Sequence, residues 1–368
     1  MTGAGAALRP LADCLALDPA RGHRRLSGPG PDWAALLQLA NEELVTPALC
    51  SRLIGLRRLG SLPAEVAEYL TLLHRLNGDR NGALRRQALE LVGALNRFDI
   101  RPVLLKGAAA LFADAYGDPA ARMVGDIDIL VPRLRLRASL AVLADLGYRL
   151  ADRYPEGHHA YGEFVRDGDA GALDLHVEPI DASYLLSAEE VARRAAPCAE
   201  PGAAFAVPSP TDRVLHNILH AQIHHRADYY RGTIRLRQLH DGATLATSFA
   251  SAIDWDLIER RFAAQRLDAA LQSYLLAAGD LFGLPWPLAA RPALRARLHY
   301  RRCLVQRHVP GLARILVPWA NLRRGFAGHR LRNLYGSRRG AARRVLRHAG
   351  QFFRKARARG VIAQLFRA

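Results

Sequence analysis

Residues 122 to 131, RMVGDIDILV, place Asp126 and Asp128 two apart within a short apolar run, and this pairing constrains the fold more than any other feature of the chain. A run so rich in Ile, Leu and Val reads as a buried strand, where a carboxylate without a partner is costly or takes up a proton. In a strand, residues i and i+2 point to one face, so both carboxylates leave the sheet together and can grip one cation. The plainer reading of a bare D-x-D is a strand ending at a polar turn, with both groups solvated. The rest of the chain has to decide between them.

The flanking sequence divides into four parts. From about 33 to 97, WAALLQLANEELVTPALCSRL and NGALRRQALELVGALNRF carry apolar residues at three- and four-residue spacing, which makes 1–97 an N-terminal helical region. The pattern then changes. IRPVLLKG is a short buried strand ending at Gly107, AAALFADAY is helical, and a Gly-Asp-Pro turn leads to the strand with the two aspartates. A helix over LRLRASLAVLADLG and strands in YRLAD, AYGEFVR and ALDLHVEP complete a core spanning 98–208. Residues 209–290 are helical again, with Ser209 as a cap, Pro210 in the first helical position and periodicity running to Gly283. The expected fold class is α+β, a small mixed β-sheet covered and flanked by helices.

The net charge of +18 is confined to one end. No Asp or Glu follows Asp280, while residues 291–368 hold 21 of the 52 basic residues; residues 1–290 carry 31 basic against 34 acidic. The segment 291–368 therefore reads as a basic C-terminal extension of a nearly neutral body. Within it, Ala342, Val345, Leu346, Ala349, Phe352, Phe353 and Ala356 fall at helical spacing among arginines. Such a helix suits contact with an anionic membrane or with nucleic acid, and is equally a solubilising extension or a helix packed on the body. The expected location is the cytoplasm, or peripheral to a membrane through this tail. No stretch reaches the roughly 18 unbroken apolar residues of a membrane span, and the N-terminus lacks the form of a secretion signal. The four cysteines are scattered without a C-x-x-C pair, which argues against a disulfide framework and a zinc knuckle.

Only two lysines, Lys106 and Lys355, stand against 50 arginines. Where the composition so favours Arg, Lys106 marks a site in which a compact point charge suits better than a planar fork.

The order of a strand ending in Lys106-Gly107, then Asp126-x-Asp128, then Asp174 on a later strand resembles the nucleotidyltransferase superfamily that includes DNA polymerase beta. VLLKGAAALFADAYGDPAARMVGDIDILVP, followed by HHAYGEF and LDLHVEP, is similar to an uncharacterised bacterial nucleotidyltransferase family. The resemblance runs over roughly residues 85 to 285. It implies transfer of a nucleotidyl group from a nucleoside triphosphate such as ATP to an acceptor that is a small molecule, a peptide or a protein. It also implies Mg²⁺ or Mn²⁺ held by Asp126, Asp128 and Asp174, with Lys106, Gly107 and Arg122 toward the phosphates. The residue types match that chemistry. Two hard cations serve the attacking oxygen and the leaving pyrophosphate, oxygen ligands hold them, and Asp174 can also help deprotonate the acceptor.

Two departures from the pattern matter. Gly107-Ala108 replaces the usual Gly-Ser, removing a hydroxyl from the triphosphate cradle, and Val177 stands where the family tends to have an aromatic residue. The first favours a second reading, a catalytically weak binding protein that keeps the fold and engages partners through its tail. His158, His159 and His176 are expected to line the acceptor side or to serve as structural hydrogen-bonding groups. His216, His220 and His224 share one helix face, but Asn217 replaces the Glu that a zinc protease requires. His240-Asp241 is a dipeptide shared with metal-dependent phosphohydrolases and is a weak signal alone.

Overall fold

The structure is a computed structural model and describes residues 3–327 except 29, 114 and 225–227, together with 331, 345 and 349. Four helices open the chain: α1 (Gly3–Leu15), α2 (Pro19–Leu26), α3 (Trp33–Glu42) and α4 (Thr46–Gly55). The 33-residue α5 (Ala64–Asn96) then leads to β1 (Val103–Leu104), the single turn α6 (Lys106–Ala110) and β2 (Ile127–Leu130). Next come α7 (Leu136–Asp145), β3 (Arg149–Arg153), β4 (Ala160–Val165), β5 (Leu173–His176), α8 (Ala188–Arg194), and the hairpin of β6 (Ala196–Glu200) and β7 (Ala203–Val207). The remaining helices are α9 (Pro210–Gln222), α10 (Asp228–Arg231), α11 (Leu236–Ser248), α12 (Trp255–Ala264), α13 (Asp268–Phe282), α14 (Leu294–His308) and α15 (Pro310–Gly325).

The seven strands form one mixed sheet in the order β3-β4-β5-β2-β1-β7-β6. β2 lies parallel to β5 and antiparallel to β1, and β1 is parallel to β7. The hairpin of β6 and β7 was not legible from the sequence, because APCAE and AAFAV hold five alanines and a proline and only one β-branched residue, Val207, of the kind that marks a strand. Ser209 caps α9 as expected, its hydroxyl accepting from the Asp212 amide at 3.2 Å. The long helical stretch to Gly283 is broken into α12 and α13, with Arg266 at φ +57° in the turn and Gly283 at φ +82° ending the second helix.

The sheet separates two apolar cores. On one face Leu104, Ile127, Ile129, Leu173 and Leu175 pack with Leu84, Leu91 and Leu95 of α5 and with Val142 and Leu143 of α7. On the other, Val103, Leu105 and Leu130 join a larger core. That core runs through Leu11 of α1, Leu49 of α4, Ile218 of α9, Leu271 and Phe282 of α13 and Tyr300 of α14. N-terminal and C-terminal helices thus share one body, although the sequence shows them as separate regions. Because Asp128 alternates with Ile127 and Ile129, its carboxylate leaves the sheet on the side of this helical body.

Beyond the expected boundary at residue 290, α14 packs against the preceding helices. Tyr300 and Cys303 are buried, Tyr300 Oη donates to Asp280 Oδ2 at 2.6 Å, and Arg307 Nη1 donates to Glu43 Oε1 at 2.9 Å. The segment has no acids of its own, so its acidic partners stand upstream, Asp280 close by and Glu43 264 residues away, where a reading along the chain does not pair it. The expected amphipathic helix of Ala342 to Ala356 lies almost wholly outside the described residues. Among the described residues no helix is long and apolar enough to cross a membrane.

Candidate active site

Asp128 and Asp174 are register partners in the parallel pair of β2 and β5. Asp126 sits in the bend just before β2 instead of inside it, and still lines the same cavity of about 470 Å³ between the sheet and helices α9 and α11. Burying Asp128 completely requires compensation. One oxygen, Oδ1, receives it: Lys106 Nζ lies 2.6 Å away and His176 Nε2 2.9 Å away. The other, Oδ2, is buried with no hydrogen-bond partner among the described residues. Ligand atoms of Asp128, Asp174 and His176 lie within 4.8 Å of one another, and Asp126 stands outside this close set.

The charges of the three acids are uneven. Burial alone would raise Asp128, but the Lys106 ammonium and the hydrogen bond from His176 hold it well below the usual carboxylate range. Asp126 is pushed up to about 6, first by the charge of Asp128 and then by burial. Asp174 also rises to about 6, through burial and then through Asp128. The unpaired oxygen and the crowded acids are what a hard divalent cation would relieve.

Lys106 and Gly107 occupy a tight corner. Lys106 adopts φ +44°, a left-handed conformation that costs a non-glycine residue about 1–3 kcal/mol. This bend turns the chain from β1 into α6 while its ammonium reaches Asp128. A Cβ on Gly107 would meet Val124 Cγ1 at 2.8 Å and Arg122 Nη1 at 3.0 Å, so only glycine lets these groups close over the turn. Ala108, the position of the missing hydroxyl, is fully buried in the core under the sheet and does not line the cavity.

Arg122 is held by Asp241 of α11 through Nε at 3.1 Å and Nη2 at 3.0 Å, and Tyr116 Oη donates to the same carboxylate. Its Nη1 is buried with no hydrogen-bond partner among the described residues. Asp241 thus aims Arg122, a structural use of the His240-Asp241 dipeptide. The segment bearing Arg122 and Asp126 is stapled from below by α5. Asn77 Nδ2 donates to the carbonyls of Ala120 and Arg122 at 2.7 and 3.0 Å, and Asn81 Nδ2 to those of Pro119 and Arg122, each at 2.8 Å. Arg80 donates to the carbonyls of Val124 and Gly125.

A family model described as "Uncharacterised nucleotidyltransferase" matches residues 29–283. The chain belongs to that family. Similarity also extends to a solution structure of the antibiotic-resistance factor ANT(2'')-Ia, 18% identical, covering 52% of this chain and 95% of that one with a TM-score of 0.37. A search of the curated proteins returned no match.

All six residues singled out in the sequence, Lys106, Gly107, Arg122, Asp126, Asp128 and Asp174, line this one cavity. His158, His159, His216, His220 and His224 line it too. Burial moves the His159 imidazole down to about 4 and lowers those of His176 and His216, keeping them neutral. His176 does not reach the cavity surface; it braces Asp128. Several lining residues escaped sequence reasoning. Arg213 and Arg237 face the cavity from α9 and α11, and nothing in a chain with 50 arginines marks them out. Tyr154, whose Oη donates to Asp174 Oδ1 at 3.3 Å, was equally silent. Asn77 and Asn81 did leave a signal: two asparagines four apart are poor helix formers, tolerated in a buried face only when their amides have partners.

Proposed function

We propose that this chain is a metal-dependent nucleotidyltransferase that moves a nucleotidyl group from a nucleoside triphosphate to an acceptor. The observation carrying this reading is the in-register pair Asp128 and Asp174, with Asp128 Oδ2 buried and unpartnered beside a second carboxylate. The donor set fits a hard cation such as Mg²⁺ or Mn²⁺, with oxygens from Asp126, Asp128 and Asp174 as ligands. When bound, such a cation supplies charge neutralisation at the phosphates and activation of the attacking oxygen.

The chain's own residues supply the rest. Lys106 fixes Asp128 in its ionised form. Arg122, with Arg213 and Arg237 on the helical wall, gives the triphosphate cationic partners in a cavity whose floor is acidic. Asp174, lining the cavity beside Asp128, is placed to help accept the acceptor's proton. Because Ala108 points into the core, the lost Gly-Ser hydroxyl is replaced by guanidinium contacts. The test is label transfer from an α-³²P nucleoside triphosphate to protein or small-molecule acceptors with Mg²⁺ present. Transfer lost in Asp128→Asn supports the reading, whereas full transfer in that variant overturns it.

A further inference from the structure

A second ligand cluster stands beside the acids and has a different chemical character. His158 and His159 come from the segment leading into β4, Asp181 from the loop after β5, and His224 from just past α9. One ligand atom from each of His158, His159 and Asp181 lies within 4.8 Å of the other two. The Asp181 carboxylate is the hub. Its Oδ1 accepts from the His159 backbone amide at 3.0 Å and lies 2.7 Å from His159 Nδ1, and its Oδ2 lies 3.4 Å from His224 Nδ1.

The rings converge although the residues come from separate segments. His158 and His159, adjacent in sequence, have ring centroids 4.1 Å apart, and His224 meets His159 edge-on at 4.7 Å. His158, His159 and His224 all line the cavity, so the cluster opens onto the space where substrates would sit.

The geometry points to a binding site for a borderline transition cation such as Zn²⁺, formed by His158, His159 and Asp181 with His224 bracing Asp181. Imidazole nitrogen with one carboxylate suits Zn²⁺, whereas Mg²⁺ selects the all-oxygen set of Asp126, Asp128 and Asp174. A tetrahedral ion with bonds near 2.1 Å holds its ligand atoms about 3.4 Å apart. The present spacings reach that by opening the His159–Asp181 contact slightly and closing His158 inward. Three protein ligands leave a fourth position toward the cavity, the arrangement of sites that take a water or a substrate atom. The cavity then holds two cation sites sorted by ligand hardness, joined through His159 and His176, whose centroids are 5.0 Å apart. This site stands independently of the nucleotidyl-transfer reading.

Calorimetric titration of the full chain with Zn²⁺, in a buffer with excess Mg²⁺ to hold the carboxylate set, tests the site. Wild type should take up one Zn²⁺ per chain. His159→Ala and Asp181→Asn should each weaken uptake by at least about tenfold, and Asp126→Asn should leave it unchanged. If His159→Ala unfolds by circular dichroism, the half-buried His158→Ala decides by the same criterion. Co²⁺ in place of Zn²⁺ should give the visible absorption of a four-coordinate ion, absent from His158→Ala. No Zn²⁺ uptake above the Mg²⁺ background would overturn the site, as would uptake unaffected by His158→Ala and Asp181→Asn, or uptake lost in Asp126→Asn.

Discussion

Asp128 and Asp174 stand side by side on parallel strands, yet only one of them is neutralised from within the protein: Asp128 Oδ1 receives Lys106 and His176, while Asp174 receives a tyrosine hydroxyl. This asymmetry separates their mutational behaviour. Asp126→Asn, Asp128→Asn and Asp174→Asn should each reduce label transfer by at least about 100-fold, since groups acting as a unit fail together. Their stabilities should diverge. Asp126→Asn and Asp174→Asn relieve repulsion and should melt at or above wild type. Asp128→Asn leaves the Lys106 ammonium uncompensated and should cost about 3 kcal/mol. Melting curves for the three variants check this, and full activity in Asp126→Asn or Asp128→Asn would contradict the site.

Metal-free stability should depend on pH with a definite sign. Asp126 and Asp174 titrate near 6 in the folded chain against an ordinary value of 3.8, so between about 4 and 6 the folded state binds more protons than the unfolded. Their contribution to stability is therefore present at the acid end of that window and lost as pH rises through 6. With EDTA present, the double variant Asp126→Asn/Asp174→Asn should melt close to wild type at pH 4 and a few degrees above it at pH 7. A gap that is constant with pH would show that these carboxylates do not titrate as described.

The asparagines of α5 should matter to activity without touching substrate. Asn77→Ala and Asn81→Ala strand the carbonyls of Pro119, Ala120 and Arg122, at about 1–3 kcal/mol for the buried Ala120 carbonyl and less for the part-buried ones. Because the same segment carries Arg122 and Asp126, each variant should also raise the KM for triphosphate. Steady-state kinetics beside thermal melts will show whether the two effects move together.

Gly107→Ala should be disproportionately harmful for one added methyl group. The new Cβ would force Val124 or Arg122 aside, and a displaced Arg122 would loosen its grip by Asp241. We expect reduced triphosphate affinity with far-UV circular dichroism unchanged. Wild-type affinity would show that the corner adjusts freely.

Cutting the chain after residue 290 should abolish cooperative unfolding or lower Tm by many degrees, since α14 buries Tyr300 and Cys303 and ties Arg307 to Glu43. A truncated chain that melts like wild type would return α14 to the status of an appendage.

The sequence by itself determined the order in which the singular Lys106-Gly107 pair and the three acids follow one another, while the structure places that pair inside the first turn of α6. Those signals are local: an apolar run interrupted by Asp, a Lys where every other cation of the body is Arg, a Gly directly after that Lys. Periodicity also gave the helical regions, because burial of one face repeats every three to four residues whatever lies opposite. It could not say which helices share a core, nor that α14 completes the N-terminal body, because apolar faces carry no address and the ionic partners lie more than 250 residues apart. Only the tertiary structure decided that Asp126 reaches the cavity from a bend, that His176 braces Asp128, and that Asp241 aims Arg122. It alone gathered His158, His159 and Asp181 from two segments around one point, since the contacts that set these positions run between strands and helices brought together by folding.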